Sequence, residues 1–200
     1  MRVVIADYGG GNLRSLSSAL VRAGCEPVIS VDPGEVRDAP LAVIAGVGHV
    51  ESAARGLAQH GLDSVIAERA AAGRPVLGIC VGMQLLCADS EEGGRGLGLV
   101  AAPVRRLHAR RVPHMGWNAL EVTRPSDLLD GLDGEDVYFA HSYAVEPETP
   151  EPVAAQVDHD GRIVAAIEQG ALAGVQFHPE RSGPAGGRLL ANAVRWSRSA

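Results

Sequence analysis

The sequence contains no lysine, and all 18 of its basic residues are arginine, against 24 acidic residues, for a formal net charge of −6. A phosphate loop of the Walker type, which requires a lysine, is therefore excluded. The acidic balance argues against a protein built around nucleic-acid phosphates or an anionic membrane surface. The chain starts with a short apolar run that Asp7 interrupts, so we expect neither a signal peptide nor a membrane span.

Cysteine is also scarce. Cys25, Cys80 and Cys87 make an odd number without Cys-x-x-Cys spacing, so a disulfide framework is not expected and a reducing, cytoplasmic location is. The ligand spacings of zinc sites, such as His-x-x-x-His, are missing as well. The sequence therefore predicts neither a metal site nor any other cofactor.

The length of 200 residues fits a single domain spanning 1–200. Short apolar runs in the first half predict strands, which lie at Arg2–Ala6, Pro27–Val31, Leu41–Ala45 and Pro75–Ile79. Helical patterns alternate with them, from the N-cap Asn12 to Ala23, over Leu62–Ala72 and directly after Cys80. Short strands with short connections, such as Asn118–Val122, fill the second half, before a closing helix at Gly186–Trp196. This order predicts an α/β fold, with an open, mostly parallel central sheet covered by helices on both faces and a smaller antiparallel strand region.

The segment Gly78-Ile79-Cys80-Val81-Gly82 lies where a buried strand meets an apolar helix. A nucleophile flanked by glycines at such a corner is typical of a nucleophile elbow. The glycines permit the tight turn, and the helix N-terminus stabilises a thiolate. The alternative is that Cys80 is only a small buried hydrophobe. We keep that interpretation for Cys25 and for Cys87, which lies two helical turns after Cys80.

The segment Phe177-His178-Pro179-Glu180 follows a second predicted strand. A cysteine nucleophile needs a base and a group that orients the base. Residues two apart in extended chain point the same way, so His178 and Glu180 can address one site. The alternative is a surface histidine beside a solvated glutamate.

The turn Gly46-Val47-Gly48 follows the strand at Leu41–Ala45. Glycine-flanked backbone at a strand end can direct N–H groups at a developing oxyanion, with the N–H of Val81 as the natural second donor. The alternative is a glycine-rich turn that serves only chain geometry.

Together these motifs resemble the class I, triad glutamine amidotransferases. The segments Asp7-Tyr8-Gly9-Gly10-Gly11-Asn12-Leu13-Arg14-Ser15 and Pro113-His114-Met115-Gly116-Trp117-Asn118 are similar to the glutaminase subunits of imidazole glycerol phosphate synthase, from histidine biosynthesis, and the resemblance extends over about residues 3–196. It implies that glutamine is hydrolysed through a Cys80 thioester. His178 would act as acid and base, roles that suit an imidazole near its ordinary pKa, and Glu180 would orient it.

The resemblance also implies which residues surround glutamine. The oxyanion donors would be the backbone N–H groups of Val47, Gly48 and Val81. The glutamine-binding residues would be Gly48, Gln84, Glu92, His141, Ser142 and Tyr143.

The resemblance further implies a heterodimer with a (β/α)8-barrel cyclase subunit. That subunit would use the ammonia to make imidazole glycerol phosphate and aminoimidazole carboxamide ribotide. A chain of 200 residues has no evident second domain to consume ammonia, which also favours a partner. The residues at this interface would be Asn12, Pro113, His114, Met115, Gly116, Trp117 and Asn118.

Three alternatives remain open from the sequence. The segment Pro113–Asn118 would instead be a turn that packs Trp117 into the core. In the second alternative, the chain is another amidotransferase of the class, such as the glutaminase of pyridoxal phosphate or guanine nucleotide synthesis. In the third, it is a binding subunit that has lost its chemistry, although the complete set of Cys80, His178 and Glu180 argues against this.

Overall fold

The computed structural model describes residues 1–199, in which strands and helices alternate over the first half. The strands are β1 (Arg2–Ala6), β2 (Glu26–Ser30), β3 (Leu41–Gly46), β4 (Val76–Cys80), β5 (Cys87–Ser90), β6 (Val100–Arg106), β7 (His114–Ala119), β8 (Glu121–Val122), β9 (Asp136–His141), β10 (Tyr143–Val145), β11 (Val153–Asp158), β12 (Arg162–Gln169) and β13 (Leu172–Val175). The helices are α1 (Leu13–Arg22), α2 (Pro33–Asp38), α3 (Val50–Gln59), α4 (Leu62–Ala71), α5 (Val81–Leu85) and α6 (Gly183–Trp196), with a 3-10 turn at Pro179–Arg181.

An eight-stranded sheet organises the molecule, in the order β2-β1-β3-β4-β13-β12-β11-β8. The strands from β2 to β13 in that order are parallel, and β12, β11 and β8 continue the sheet in antiparallel pairing. Two smaller sheets, β10-β6-β5 and β7-β9, lie outside it. The predicted fold class, a mostly parallel central sheet with a smaller antiparallel region, is confirmed.

The central strands β3 and β4 are continuous apolar runs because the sheet is covered on both faces there. Every residue of both strands is buried, which requires cover on both faces of the sheet. The carboxyl ends of β3 and β4 lie side by side, with Gly46 paired to Cys80. Ligand sites of open α/β sheets form at this edge, so the register alone places the nucleophile segment beside the glycine-rich turn.

Some predicted boundaries were wrong because tertiary contacts decide them. The helix after Cys80 ends at Leu85, and Cys87 begins a strand instead of lying on a second helical turn. The carbonyls of Leu85 and Leu86 accept hydrogen bonds from the N–H groups of Leu97 and Leu99, which takes them out of the helical pattern. Cys25 and Cys87 are buried, as predicted.

Two further differences have similar causes. The segment predicted as one strand, Asn118–Val122, divides between β7, which pairs with β9, and β8, which joins the main sheet. Helix α3 has no counterpart among the predicted elements. Its buried face includes the small residues Ala53 and Gly56, which weaken the apolar periodicity that indicates a helix. No helix within residues 1–199 is long and apolar enough to cross a membrane.

Arg69 on α4 is a buried charge that joins helix to sheet. The side chain is 1% exposed, and its guanidinium donates to four carbonyls, those of Val36, Arg37, Ala39 and Pro75, at 2.6–3.0 Å. Burial, with a smaller contribution from Arg74, lowers the pKa of Arg69 to about 10. The guanidinium thus ties the end of α2 to the chain that enters β4.

We therefore expect Arg69→Leu to reduce the free energy of unfolding by about 3 kcal/mol, because four carbonyls lose a buried donor. Urea denaturation at pH 7 measures the change. The matched control is Arg55→Leu, whose exposed pair with Glu51 is worth less than about 0.5 kcal/mol. Equal stability of the two variants would contradict the structural role of Arg69.

Candidate active site

Cys80 lies in a strained turn between β4 and α5. Its φ of 54° is positive, a conformation that non-glycine residues rarely adopt and that clusters at functional sites. A Cβ at Gly82 would lie 1.8 Å from the Ile44 carbonyl oxygen, and one at Gly78 would lie 2.6 Å from the backbone of Gly82. Glycine at both positions is therefore a steric requirement of the turn.

His178 and Glu180 lie beside this turn, directly after β13. His178 Nδ1 is 3.0 Å from Glu180 Oε1, and both side chains are 7% exposed. Burial lowers the pKa of His178, but interaction with the Cys80 sulfur and with the Glu180 carboxylate outweighs it and raises the pKa to about 10. The pKa of His178 thus lies above the ordinary range of an imidazole, because Cys80 and Glu180 favour the charged ring.

Two buried amides connect the nucleophile to the rest of the site. Gln84 Nε2 donates to the Tyr143 carbonyl at 2.9 Å and to Gln176 Oε1 at 3.0 Å. Gln176 Nε2 in turn donates to Cys80 Sγ at 3.5 Å. Gln176 has no role predicted from the sequence, although it stands two residues before His178, and alternate residues of an extended chain point to one face.

The turn Gly46-Val47-Gly48 lies next to Cys80 through the pairing of Gly46 with Cys80. Gly48 has a φ of 94°, which requires glycine, and the Val47 side chain is exposed. Val81, the other predicted oxyanion donor, is buried in the first turn of α5. The structure thus brings all three predicted donors to the nucleophile end of the sheet.

Glu92 lies at the N-terminus of α3, which follows that turn. Its carboxylate accepts from the backbone N–H of Val50 at 3.3 Å and is 3.0 Å from His49 Nδ1. Its side chain is 12% exposed, whereas that of His49 is 70% exposed. The helix N-terminus favours the negative charge at this position.

Tyr8 is a buried residue of the site that sequence reasoning did not single out. A Cβ at Gly46 would lie 1.5 Å from the Tyr8 hydroxyl, so the ring fills the space that Gly46 leaves open. The hydroxyl forms no hydrogen bond with any part of residues 1–199. Burial raises its pKa above the usual value, and the charges of Cys80 and Asp7 add to the effect. The only sequence signal was its place in the Asp7–Ser15 motif.

The residues His141, Ser142 and Tyr143 join β9 to β10. The ring of His141 is buried, with Nδ1 2.9 Å from the Tyr143 carbonyl and Nε2 3.1 Å from His114 Nδ1. Both ring nitrogens are therefore engaged inside the protein. The carbonyl of Ser142 accepts from the N–H of Leu107 at 2.9 Å.

The segment Pro113–Asn118 forms most of β7 and divides between two environments. His114 is buried, whereas Met115 and Trp117 are 65% and 57% exposed. The alternative that Trp117 packs into the core is therefore wrong. Trp117 meets the ring of Tyr138 edge-on at 5.7 Å, and the guanidinium of Arg181 lies 3.9 Å above the same ring.

Asn12 lies in the loop before α1, near the carboxyl end of β3. Its side chain accepts from the N–H of Ser15 at 3.4 Å and so caps α1, as predicted. The preceding Gly11 packs against β3, where a Cβ would lie 3.0 Å from the Ala45 carbonyl oxygen. The loop before α1 is thus in direct contact with the end of the strand that leads into Gly46-Val47-Gly48.

Arginine side chains line a separate cavity outside this set of residues. A cavity of about 900 Å³ borders the β10–β11 connection, and its guanidinium groups include those of Arg105 and Arg162, which pair with Asp89 and Glu121. Among residues 1–199, no three side chains of the metal-ligating types His, Cys, Asp and Glu gather closely enough to hold a metal ion.

Comparison with known proteins identifies the relatives of this chain. The family model for "Glutamine amidotransferase class-I" matches residues 4–196. The imidazole glycerol phosphate synthase subunit HisH of Symbiobacterium thermophilum is 46% identical over 201 residues, covering 98% of this chain and 93% of that protein. The HisH subunit of Mycolicibacterium paratuberculosis is 46% identical over 196 residues, covering 95% of each chain.

Solved structures support the fold. The crystal structure of a glutamine amidotransferase superimposes with a TM-score of 0.80 at 20% identity, covering 98% of each chain. The PurLQS structure from Thermotoga maritima gives a TM-score of 0.75 at 22% identity, covering 97% of each chain.

The contact of His178 with Cys80 predicts how the thiol reacts. We expect His178→Asn to slow alkylation of Cys80 by iodoacetamide about tenfold at pH 7, because the imidazolium that stabilises the thiolate is lost. The rate should recover as the pH approaches the range near 8.5, where an ordinary thiol ionises. Mass spectrometry of the Cys80 peptide measures the rate, and exposed His60 supplies the control His60→Asn. An undiminished rate at pH 7 would contradict the pairing.

Proposed function

Because the chain belongs to the class I glutamine amidotransferases and, within them, to the HisH subunits of imidazole glycerol phosphate synthase, we propose that it hydrolyses glutamine to glutamate and ammonia for histidine biosynthesis. The observation that carries the mechanism is the convergence of Cys80, His178 and Glu180 at the carboxyl ends of adjacent strands. We infer that residues 1–200 act as one amidotransferase domain.

The first half of the reaction uses the charged state of the resting site. The Cys80 thiolate attacks the side-chain carboxamide carbon of glutamine, and the N–H groups of Val47, Gly48 and Val81 are the proposed donors to the oxyanion. The carbon–nitrogen bond then breaks, and the imidazolium of His178 gives its proton to the departing nitrogen. Ammonia leaves, and a glutamyl thioester remains on Cys80.

The second half of the reaction needs His178 as a base. Acylation removes the thiolate charge that raises the pKa of His178 in the resting site, so the pKa falls towards the range in which an imidazole accepts a proton. His178 then takes a proton from the attacking water, and the thioester breaks to release glutamate. Glu180 holds Nδ1 throughout, which leaves Nε2 for the exchange with substrate.

The glutamine pocket follows from the groups that surround the nucleophile. We propose that Gly48, Gln84, Glu92, His141, Ser142 and Tyr143 form it. Glu92 supplies a carboxylate for the ammonium group of the substrate, while Gln84 and the backbone at Ser142 and Tyr143 supply amide groups. His141 contributes through its hold on the Tyr143 carbonyl, because both of its ring nitrogens are already bonded.

The ammonia acceptor lies on a second chain in this proposal, a (β/α)8-barrel cyclase. Met115 and Trp117 present exposed apolar side chains of the kind that anchor protein interfaces. The proposed contact surface consists of Asn12, Pro113, His114, Met115, Gly116, Trp117 and Asn118. The buried His114 supports the β7 part of that surface from inside, whereas Asn12 is exposed.

The decisive experiment measures glutamate release by the chain mixed with the purified barrel subunit and its nucleotide ligand. We expect Cys80→Ala to reduce the rate by at least about 1,000-fold, because the nucleophile is removed. The matched control, Cys25→Ala, alters a buried cysteine outside the site and should leave the rate unchanged. Undiminished activity of Cys80→Ala would refute the assignment of the nucleophile. Stimulation of the wild-type chain by a different synthase would change the choice of partner.

A separate measurement tests the contact surface. We expect Met115→Glu to weaken binding of the barrel subunit by at least about tenfold in titration calorimetry, because a charge replaces an apolar anchor. Val21→Glu is the matched control, since Val21 is also exposed, at 59%, but lies near the C-terminal end of α1, away from Asn12. Equal affinity of the two variants would show that the partner binds elsewhere.

A further inference from the structure

A hydrogen-bonded chain runs from the buried face of β7 to the nucleophile. We propose that His114 and His141 are positioning residues, which hold the Tyr143 carbonyl and, through the amides of Gln84 and Gln176, the hydrogen bond to the Cys80 sulfur. This inference rests on the proposed function and extends it, since it identifies the path by which the exposed face of β7 reaches the nucleophile.

The hydrogen position on His141 follows from its partners. A carbonyl only accepts, so His141 Nδ1, 2.9 Å from the Tyr143 oxygen, must hold the hydrogen. Burial lowers the pKa of His141 to about 3, against a smaller opposing effect of the bond to Tyr143. The ring is therefore neutral at pH 7, and its Nε2 is an acceptor.

The state of His114 follows in turn. His114 Nδ1 is 3.1 Å from His141 Nε2 and must donate to it. Burial, with a smaller effect of His159, lowers the pKa of His114 to about 4, so this ring is neutral too. Its Nε2 accepts from Asn118 Nδ2 at 3.4 Å, and Asn118 is itself anchored to the Asp158 carbonyl at 2.8 Å. Along the path from Asn118 through the two histidines to Tyr143, the donor and the acceptor of each hydrogen bond are thus fixed.

The Tyr143 carbonyl is where the two halves of the chain meet. It accepts from His141 on one side and from Gln84 on the other, which uses both of its lone pairs. Gln84 must then present its remaining hydrogen to Gln176 Oε1, and this leaves the amide of Gln176 to donate to Cys80. Because none of the four side chains, His114, His141, Gln84 and Gln176, is more than 6% exposed, a lost bond would leave a buried polar group unpaired.

The same strand links this chain to the surface. On β7, the buried His114 alternates with Met115 and Trp117, which face outward. Hydrogen bonds between β7 and β9 hold these residues in one ladder. We therefore expect a partner that shifts Met115 and Trp117 to shift His114 as well. The sulfur of Cys80 then responds to binding at a surface that it does not touch.

A matched pair of variants separates this role from simple packing. The ring of His114 stacks on Phe139 at 4.5 Å and on His159 at 4.1 Å. His114→Phe keeps the stacking and loses the donor, whereas His114→Asn loses the ring and keeps a donor near the position of Nδ1. We expect His114→Phe to lower the glutaminase kcat of the complex about tenfold and His114→Asn to restore most of the rate.

The opposite order, with His114→Phe active and His114→Asn impaired, would overturn the inference in favour of packing. Thermal unfolding of both variants establishes that they are folded. If the wild-type complex releases no glutamate, the proposed function fails, and the two variants are compared by the rate of Cys80 alkylation instead. A slower reaction for His114→Phe than for His114→Asn then supports the inference, and the reverse overturns it.

Nuclear magnetic resonance gives a test that is independent of activity. Two-bond proton–nitrogen spectra of the intact chain, labelled at histidine nitrogen, report where each ring holds its hydrogen. We expect His114 and His141 to be neutral at pH 7, each protonated on Nδ1. A charged ring, or a hydrogen on Nε2 of either residue, would break the directed chain and refute the proposal.

Discussion

The site depends on the close approach of the β3 backbone to the first turn of α5. The Ile44 carbonyl leaves no room for a side chain at Gly82, and the backbone of Gly82 leaves none at Gly78. This contact forces the chain through a positive φ at Cys80, at a cost of roughly 1–3 kcal/mol. The fully buried strands on either side offset that cost. The pairing of Gly46 with Cys80, and with it the proposed oxyanion turn, follows from the same packing.

Histidines in this one region show how neighbours decide protonation. His178 faces the Cys80 sulfur and the Glu180 carboxylate, so its pKa is raised in spite of burial. At His141 and His114, burial is the largest effect and lowers the pKa of each, and neighbouring histidines add smaller contributions in the same direction. One group is thereby suited to proton transfer, whereas the other two are suited to hold hydrogen bonds of fixed direction. A single residue type thus performs two kinds of work in one region of the protein.

Much of the fold could be predicted from the sequence where structure is local. Strand β1 has the predicted bounds, and β3 and β4 differ by one residue, because doubly buried parallel strands are short apolar runs. Cys80, His178 and Glu180 stand in compact motifs, each just past the end of a predicted strand, so a shared site at one edge of the sheet could be predicted. Gln176 and Tyr8 could not be assigned a role in this way, because only the folded chain shows their contacts with Cys80 and with the space beside Gly46. The division of β7 from β8 was equally hidden, because it depends on which sheet each segment joins.

The burial of the nucleophile also bears on its chemical durability. A thiolate is the form of cysteine that peroxide oxidises, first to a sulfenic acid and then irreversibly. Cys80 is only 3% exposed, so a dissolved oxidant has little access to the sulfur. The fold would therefore keep the nucleophile reduced for longer than an exposed thiolate of the same reactivity.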